Sequence, residues 1–179
     1  DLACGQGVFC RVLQSARVHV TGVDASPELI RLAQRRSHRG VTYLVGDARQ
    51  LPELPSESFD AIACLLAVQN IDPLDALFDI CARLLVPGGR LVLVMTHPCF
   101  RIPRQSGWGW DEERKLQYRR VDRYATSLKV PIQMHPGSRP QQVTWSFHRS
   151  LETYVQELAR AGLWMNALEE WPSHRQSQP

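Results

Sequence analysis

Strand-like and helix-like segments alternate through the first hundred residues, and that rhythm narrows the possible folds more than any other feature. Val8 to Ala16 places apolar residues at 8, 9, 12 and 13, one face of a helix. Val18 to Val23 alternates and is β-branched, which predicts a strand. Asp24-Ala25-Ser26-Pro27-Glu28 then reads as a helix start, with Ser26 as cap, Pro27 in the first turn and Glu28 at the positive dipole end. That helix runs to about Arg36. Val41 to Val45 predicts a second strand, closed by Gly46-Asp47. Asp60 to Leu66 predicts a third, nearly all apolar, of the kind covered on both faces. Asp72-Pro73 opens a helix whose Leu74, Leu77, Phe78, Cys81, Leu84 and Leu85 follow one stripe until Pro87-Gly88-Gly89 stops it. Leu91 to Met95 is a fourth strand. Ser150 caps a further helix that ends near Gly162, and Leu163 to Leu168 predicts a last strand.

Strands separated by helices at this spacing form a parallel sheet with right-handed crossovers and helices on both faces. Such sheets bind ligands at the carboxyl ends of their strands. The residues that matter therefore stand just after each strand. Gly5 and Gly7, in the opening Asp1-Leu2-Ala3-Cys4-Gly5-Gln6-Gly7, offer a turn with bare backbone N–H groups. Asp24 follows Gly5 by 19 residues, a spacing that suits a carboxylate on ribose hydroxyls. Asp47 ends the next strand and suits an adenine amine, while Leu65 to Asn70 would close the other side. Each piece has a plainer reading: a tight turn, a cap ahead of Pro27, a polar strand end. Their order at successive strand ends is the specific signal.

In this arrangement the chain resembles the class I S-adenosylmethionine-dependent methyltransferases. DLACGQG is similar to the family's first motif, GVDAS to the second, GDARQLP to the third and FDAIACLLAVQNIDP to the fourth. LLVPGGRLVLVMTHP is similar to the helix, Gly turn and fifth strand that follow. The resemblance covers residues 1 to about 97 and resumes near 148. It implies an α/β, Rossmann-like three-layer sandwich with a mostly parallel sheet, S-adenosyl-L-methionine as cofactor, and methyl transfer to a small-molecule acceptor. It also implies roles for single residues. Asp1 with the backbone of Ala3 and Gly5 would hold the methionine part, and Asp24, with Ala25 beside it, the ribose. Asp47, with Ala48 beside it, would meet adenine, and the Leu65 backbone the methionine amine. Ala3 stands where the family has glycine, so the tightest φ angles would be lost there. Against that family the chain reads as a fragment. Only Asp1, Leu2 and Ala3 remain of the central strand, and a final strand is expected beyond Pro179.

His97, just past the fifth family strand, is the candidate general base; a structural hydrogen-bonder beside Pro98 is the alternative. Residues 99–147 form an insertion expected to act as a lid or wall over the acceptor site. Residues 98 to 149 hold 10 Lys and Arg against 4 Asp and Glu, with Trp108, Trp110 and Trp145. Trp108, Trp110, Tyr118 or Arg119 should then face the cleft formed by Asp24, Leu65 and His97. A solvated surface excursion is the plainer alternative.

Composition removes several classes. Five cysteines without a C-x-x-C argue against a disulfide framework or a metal site and fit a reducing cytoplasm. No apolar run reaches membrane-helix length, and the first residues carry no signal-peptide pattern. A net charge of +3 does not by itself imply nucleic acid, although the basic insertion keeps an RNA methyltransferase as an alternative. A nicotinamide-dependent oxidoreductase would need a third glycine where Cys10 stands.

Overall fold

A computed structural model of the chain describes residues 1–37, 40–102, 105–133 and 143–172. In chain order it contains α1 (Val8–Ser15), β1 (Val20–Asp24), α2 (Pro27–Arg36), β2 (Val41–Val45) and β3 (Phe59–Leu65). A 3₁₀ turn at Val68–Asn70 follows, then α3 (Leu74–Leu84) and β4 (Leu85–Val94). Two hairpins, β5 (Ser106–Asp111) with β6 (Leu116–Val121) and β7 (Leu128–Gln133) with β8 (Val143–His148), precede α4 (Leu151–Arg160).

β1 pairs parallel with β2, and β3 parallel with β4. The chain start joins the two pairs, because Leu2 bridges both Val23 and Cys64 in parallel sense. Leu2 N–H donates to the Ala63 carbonyl at 2.8 Å and Cys4 N–H to that of Val23 at 2.9 Å. The order across the sheet is thus β2, β1, the Asp1–Cys4 stretch, β3, β4, all running one way. All five carboxyl ends lie on one edge, where the Gly turn, Asp24, Asp47 and Leu65 gather.

Alternation along the strands assigns the two faces. Val23, Ile62 and Cys64 point to one side, where they join Leu77, Phe78, Cys81 and Leu84 of α3 and Tyr154 of α4 in the main core. Five apolar α3 positions are buried, as the stripe requires. Gly22 faces the other side. A Cβ there would stand 2.8 Å from the Cys10 sulfur and 2.9 Å from the Tyr43 ring, so only glycine lets α1 lie this close. Tyr43 Oη also meets Ser37 Oγ at 2.7 Å, which ties the end of α2 to the same face. Helices therefore cover both faces, but this second layer spans only β1 and β2. Val92, on that face of β4, remains 49% exposed. Asp60 and Ala61 of β3 are exposed too, so β3 is not covered along its whole length.

Three features differ from the expectations. α3 ends at Leu84, and Pro87-Gly88-Gly89 lies within β4 as a bulge: Phe59 pairs with Leu85 but Ala61 with Arg90. The stop comes earlier because Leu85 turns extended to pair with Phe59. Residues 163–168 form no strand: they find no ladder partner among the described residues, and Trp164 and Leu168 are 84% and 60% exposed. Ala3 takes φ +55° in spite of its Cβ, so the left-handed turn is kept without glycine. The conformation costs Ala3 roughly 1–2 kcal/mol.

Candidate cofactor site

The Gly turn is held in place by the strand it faces. Gly5 N–H donates to Asp24 Oδ2 at 2.8 Å, and Ser26 N–H donates to Asp24 Oδ1 at 2.8 Å. One buried carboxylate thus joins the turn, the end of β1 and the start of α2. Ser26 Oγ in turn accepts from Leu29 N–H, completing the cap. The two plainer readings of these residues are both realised, and neither exhausts them. Each carboxylate oxygen keeps a second lone pair. Gly5 has φ +55° and nothing within 4 Å of where a Cβ would stand, so the outer side of the turn is open beside Asp24.

The remaining predicted residues sit along the same edge. Asp1 lies at the foot of the turn, and its Oδ2 accepts from the Cys10 thiol at 3.1 Å. Ala25 is exposed just past Asp24, while Ala48 is buried against the core beside Leu51. Leu65 is the last residue of β3, and Leu66 follows in the left-handed region at φ 55°. Strained backbone of this kind concentrates at functional edges.

Asp47 is more committed than its position alone suggests. Arg49 donates to it from Nε at 2.9 and 3.1 Å and from its backbone N–H at 3.0 Å, and also reaches the Asp72 carbonyl. Hydrogen bonds from Arg49 hold the Asp47 carboxyl below its usual range. A carboxyl lowered on folding adds stability above its unfolded pKa, and that stability is lost as pH falls through the folded value. The pair is solvent-screened, so its share is below about 1 kcal/mol. Arg49→Met is expected to return the Asp47 pKa to the ordinary carboxylate range, read by carboxyl-carbon NMR titration; an unmoved titration would show that Arg49 is not the cause.

His97 has both ring nitrogens engaged. Nδ1 accepts from Cys99 N–H at 3.1 Å, and Nε2 lies 2.6 Å from Glu170 Oε1. Phe100 packs on the ring at 4.9 Å between centroids. Of the four insertion residues, Trp108, Trp110 and Tyr118 are 66%, 53% and 48% exposed. Arg119 lies over Trp108 and donates to the Phe100 carbonyl. The insertion meets the sheet edge through other residues: Asn70 Nδ2 donates to the Trp145 carbonyl at 2.8 Å. Ser146 and His148 of β8 are buried, the latter against the Tyr124 carbonyl at 2.8 Å. Residues 103–104 and 134–142 of the insertion lie outside the described residues.

Sequence reasoning missed one feature. A small pocket, open to solvent, lies at the ends of β3 and β4, lined by Gln69, Met95, Thr96, Phe147, Arg149 and Tyr154 among others. Arg149 is only 7% exposed. The one signal was its place directly before the helix-capping Ser150, where it looks like any surface cation. No cluster that could hold a metal ion occurs among the described residues. No helix among them is long and apolar enough to cross a membrane.

A parallel sheet whose Gly turn is bound to an acidic strand end is the arrangement of a Rossmann-like α/β domain. Acceptor-only carboxylates beside exposed backbone suit a cofactor that is cationic and rich in hydroxyl and amine donors, so the residues present fit S-adenosylmethionine. Residues 1–93 match the family model described as "Methyltransferase domain", and the chain belongs to that family. It is a class I S-adenosylmethionine-dependent methyltransferase fold. The chain is 36% identical over 94 residues to a ubiquinone biosynthesis O-methyltransferase of Xylella fastidiosa, covering 51% of this chain and 38% of that protein. A demethylmenaquinone methyltransferase of Tropheryma whipplei is 34% identical over 101 residues, 55% of this chain and 41% of its own. The chain thus spans about two fifths of the length of these relatives. Among solved structures, an S-adenosylmethionine-dependent methyltransferase from Mesorhizobium loti superposes with a TM-score of 0.80 at 29% identity, over 96% of this chain and 76% of that one.

Proposed function

We infer that this domain binds S-adenosylmethionine along the Gly turn, Asp24 and Asp47, and that the protein methylates a small-molecule acceptor. The observation that carries the reading is the Gly5–Asp24 tie at the carboxyl edge of a sheet belonging to the methyltransferase-domain family. The matched relatives named for ubiquinone and demethylmenaquinone methylation support a small organic acceptor. When bound, the cofactor supplies an electrophilic methyl group on a sulfonium centre. The chain's own residues then have to orient the two molecules, and positioning can carry much of the rate. Asp24 would fix the ribose, the Gly turn and Leu65 the amino-acid end, and Asp47 the adenine. A metabolite panel incubated with methyl-labelled cofactor tests the reading. Label transfer to at least one small acceptor is expected; cofactor binding without transfer to any member would leave a binding domain only.

His97 serves as base in this reading only when Glu170 leaves Nε2 and the Cys99 N–H leaves Nδ1, so that the ring proton moves to Nδ1 and Nε2 carries the lone pair. His97→Ala is expected to lower kcat by about 10²- to 10⁴-fold for a protonated acceptor atom and to leave cofactor affinity unchanged. An unchanged kcat would return His97 to a structural role.

The insertion at 99–147 would wall the acceptor site through β8, with the tryptophans of β5 on its outer side. Replacing residues 104–140 by a short Gly/Ser linker is expected to abolish methyl transfer, with cofactor affinity kept within about tenfold, or about 1.4 kcal/mol. Retained transfer would make the insertion a surface excursion.

A further inference from the structure

The pocket at the ends of β3 and β4 contains two buried polar atoms that the fold leaves unpaired. Arg149 is buried, and its Nη2 is used: it donates to the Ile71 carbonyl at 3.1 Å and to Asp72 Oδ1. Among the described residues its Nη1 finds no hydrogen-bond partner, and neither does Gln69 Oε1, although Gln69 Nε2 donates to the Leu66 carbonyl at 2.8 Å. Both residues line the same pocket, yet these two complementary atoms do not pair with each other. Buried polar groups in folded proteins are nearly always satisfied, so each exception asks for a partner. A half-used guanidinium is the costlier of the two, because a buried charge without its full set of bonds is penalised more than a neutral amide.

The surroundings say what that partner is. Met95, Pro98 and Phe147 give the pocket apolar walls, and Phe147 lies under the Arg149 guanidinium at 5.1 Å. Arg101 adds a second cation at the rim. Asp72, the carboxylate facing Arg149, meets Nη2 through Oδ1 and does not reach Nη1. Tyr154 is buried beside Arg149, and burial raises its phenol pKa, so it stays a neutral donor. A guanidinium N–H and a phenol O–H side by side offer two donors to the two oxygens of one carboxylate. Gln69 Oε1 offers an acceptor to an N–H or O–H on the same molecule.

We propose that this pocket is the methyl-acceptor site and that its acceptor bears a carboxylate, which Arg149 binds through Nη1 while the rest of the molecule extends toward the open side. The proposal rests on the methyl-transfer reading for the word acceptor, but the carboxylate site stands or falls separately. Arg149 is a binding and positioning residue here and takes no part in bond-making.

The probe is sodium benzoate, with benzamide as its neutral counterpart of the same shape, titrated into the full chain and followed by the Arg149 Nε–H signal in proton–nitrogen NMR. Benzoate is expected to move that signal and to bind at least tenfold more tightly than benzamide. Arg149→Gln should remove the tenfold preference, and Arg149→Lys should keep part of it. S-adenosylhomocysteine affinity, measured alongside, should stay within about twofold in both variants. Equal binding of benzoate and benzamide to the unaltered chain overturns the proposal, and that arm needs no variant to fold. A preference that survives in a folded Arg149→Gln overturns it as well. Benzoate binding without S-adenosylhomocysteine binding would sink the methyl-transfer reading and leave the carboxylate site intact. The converse result would sink only the site.

Discussion

Calorimetry on Asp24→Ala is expected to show S-adenosylmethionine binding weakened about 30-fold or more, against less than about fivefold for Asp47→Ala. The asymmetry follows from what each carboxylate already holds. Among the described residues Asp24 accepts from neutral backbone N–H groups, those of Gly5 and Ser26. Its charge is therefore available to a ribose diol, and hydrogen bonds to a charged group contribute about 1.5–3 kcal/mol each, which is about 10- to 100-fold. The same substitution frees Gly5 from β1 and lets the turn move, so the geometry is lost with the contact. Asp47 already shares its charge with Arg49. A cofactor amine there replaces or shares an existing partner, and the net gain is small. Asp24→Asn separates the two contributions. It keeps the side chain's size but sets an amide N–H against the N–H of Gly5 or Ser26, so its affinity should fall between those of wild type and Asp24→Ala. An unchanged affinity in Asp24→Ala would remove this edge as the cofactor site.

Gly7→Ala is expected to lower stability by about 2–5 kcal/mol, read by urea unfolding followed by circular dichroism. Two independent costs add. Gly7 has φ +68° at the start of α1, and an L-residue in that region costs roughly 1–2 kcal/mol. A Cβ at Gly7 would also stand 2.2 Å from Tyr43 Oη and 2.8 Å from the ring. The ring has little room to retreat, because its hydroxyl meets Ser37 Oγ and its edge lies against Gly22. Forcing extra atoms into such a contact costs about 1–3 kcal/mol. The double variant Gly7→Ala with Tyr43→Ala should recover the steric part, so the two single effects will sum to more than the pair. Strict additivity would show that Tyr43 is not the obstacle. Because Gly7 belongs to the turn that begins at Ala3, the displaced ring should weaken cofactor binding as well.

The sequence alone determined the α/β class, the parallel sense of the sheet and the edge on which the Gly turn, Asp24 and Asp47 gather. Those follow from local rules: β-branched alternation at 18–23, the Ser26-Pro27 helix start, and an acidic residue at the end of each of the first two strands. The stripe Leu74, Leu77, Phe78, Cys81, Leu84 marks one helix face whatever packs on it, so α3 was legible to its last turn. What tertiary structure decided depends on contacts between residues far apart in the chain. Pro87-Gly88-Gly89 is a helix stop by local chemistry, but the pairing of Leu85 with Phe59 draws the chain into β4 before the stop is reached. Leu163 to Leu168 has strand composition, and a strand needs a partner that composition does not supply. Ala3 holds a left-handed φ because the hydrogen bonds of Leu2 and Cys4 across the sheet fix the turn on either side of it. His97 looks like a free base until Glu170, 73 positions later, is found on its Nε2. Arg149 reads as a solvated cation before a helix cap. Only the fold buries it beside Tyr154 and Gln69 with one nitrogen unpaired, because burial is a property of the whole packed chain and not of any stretch within it.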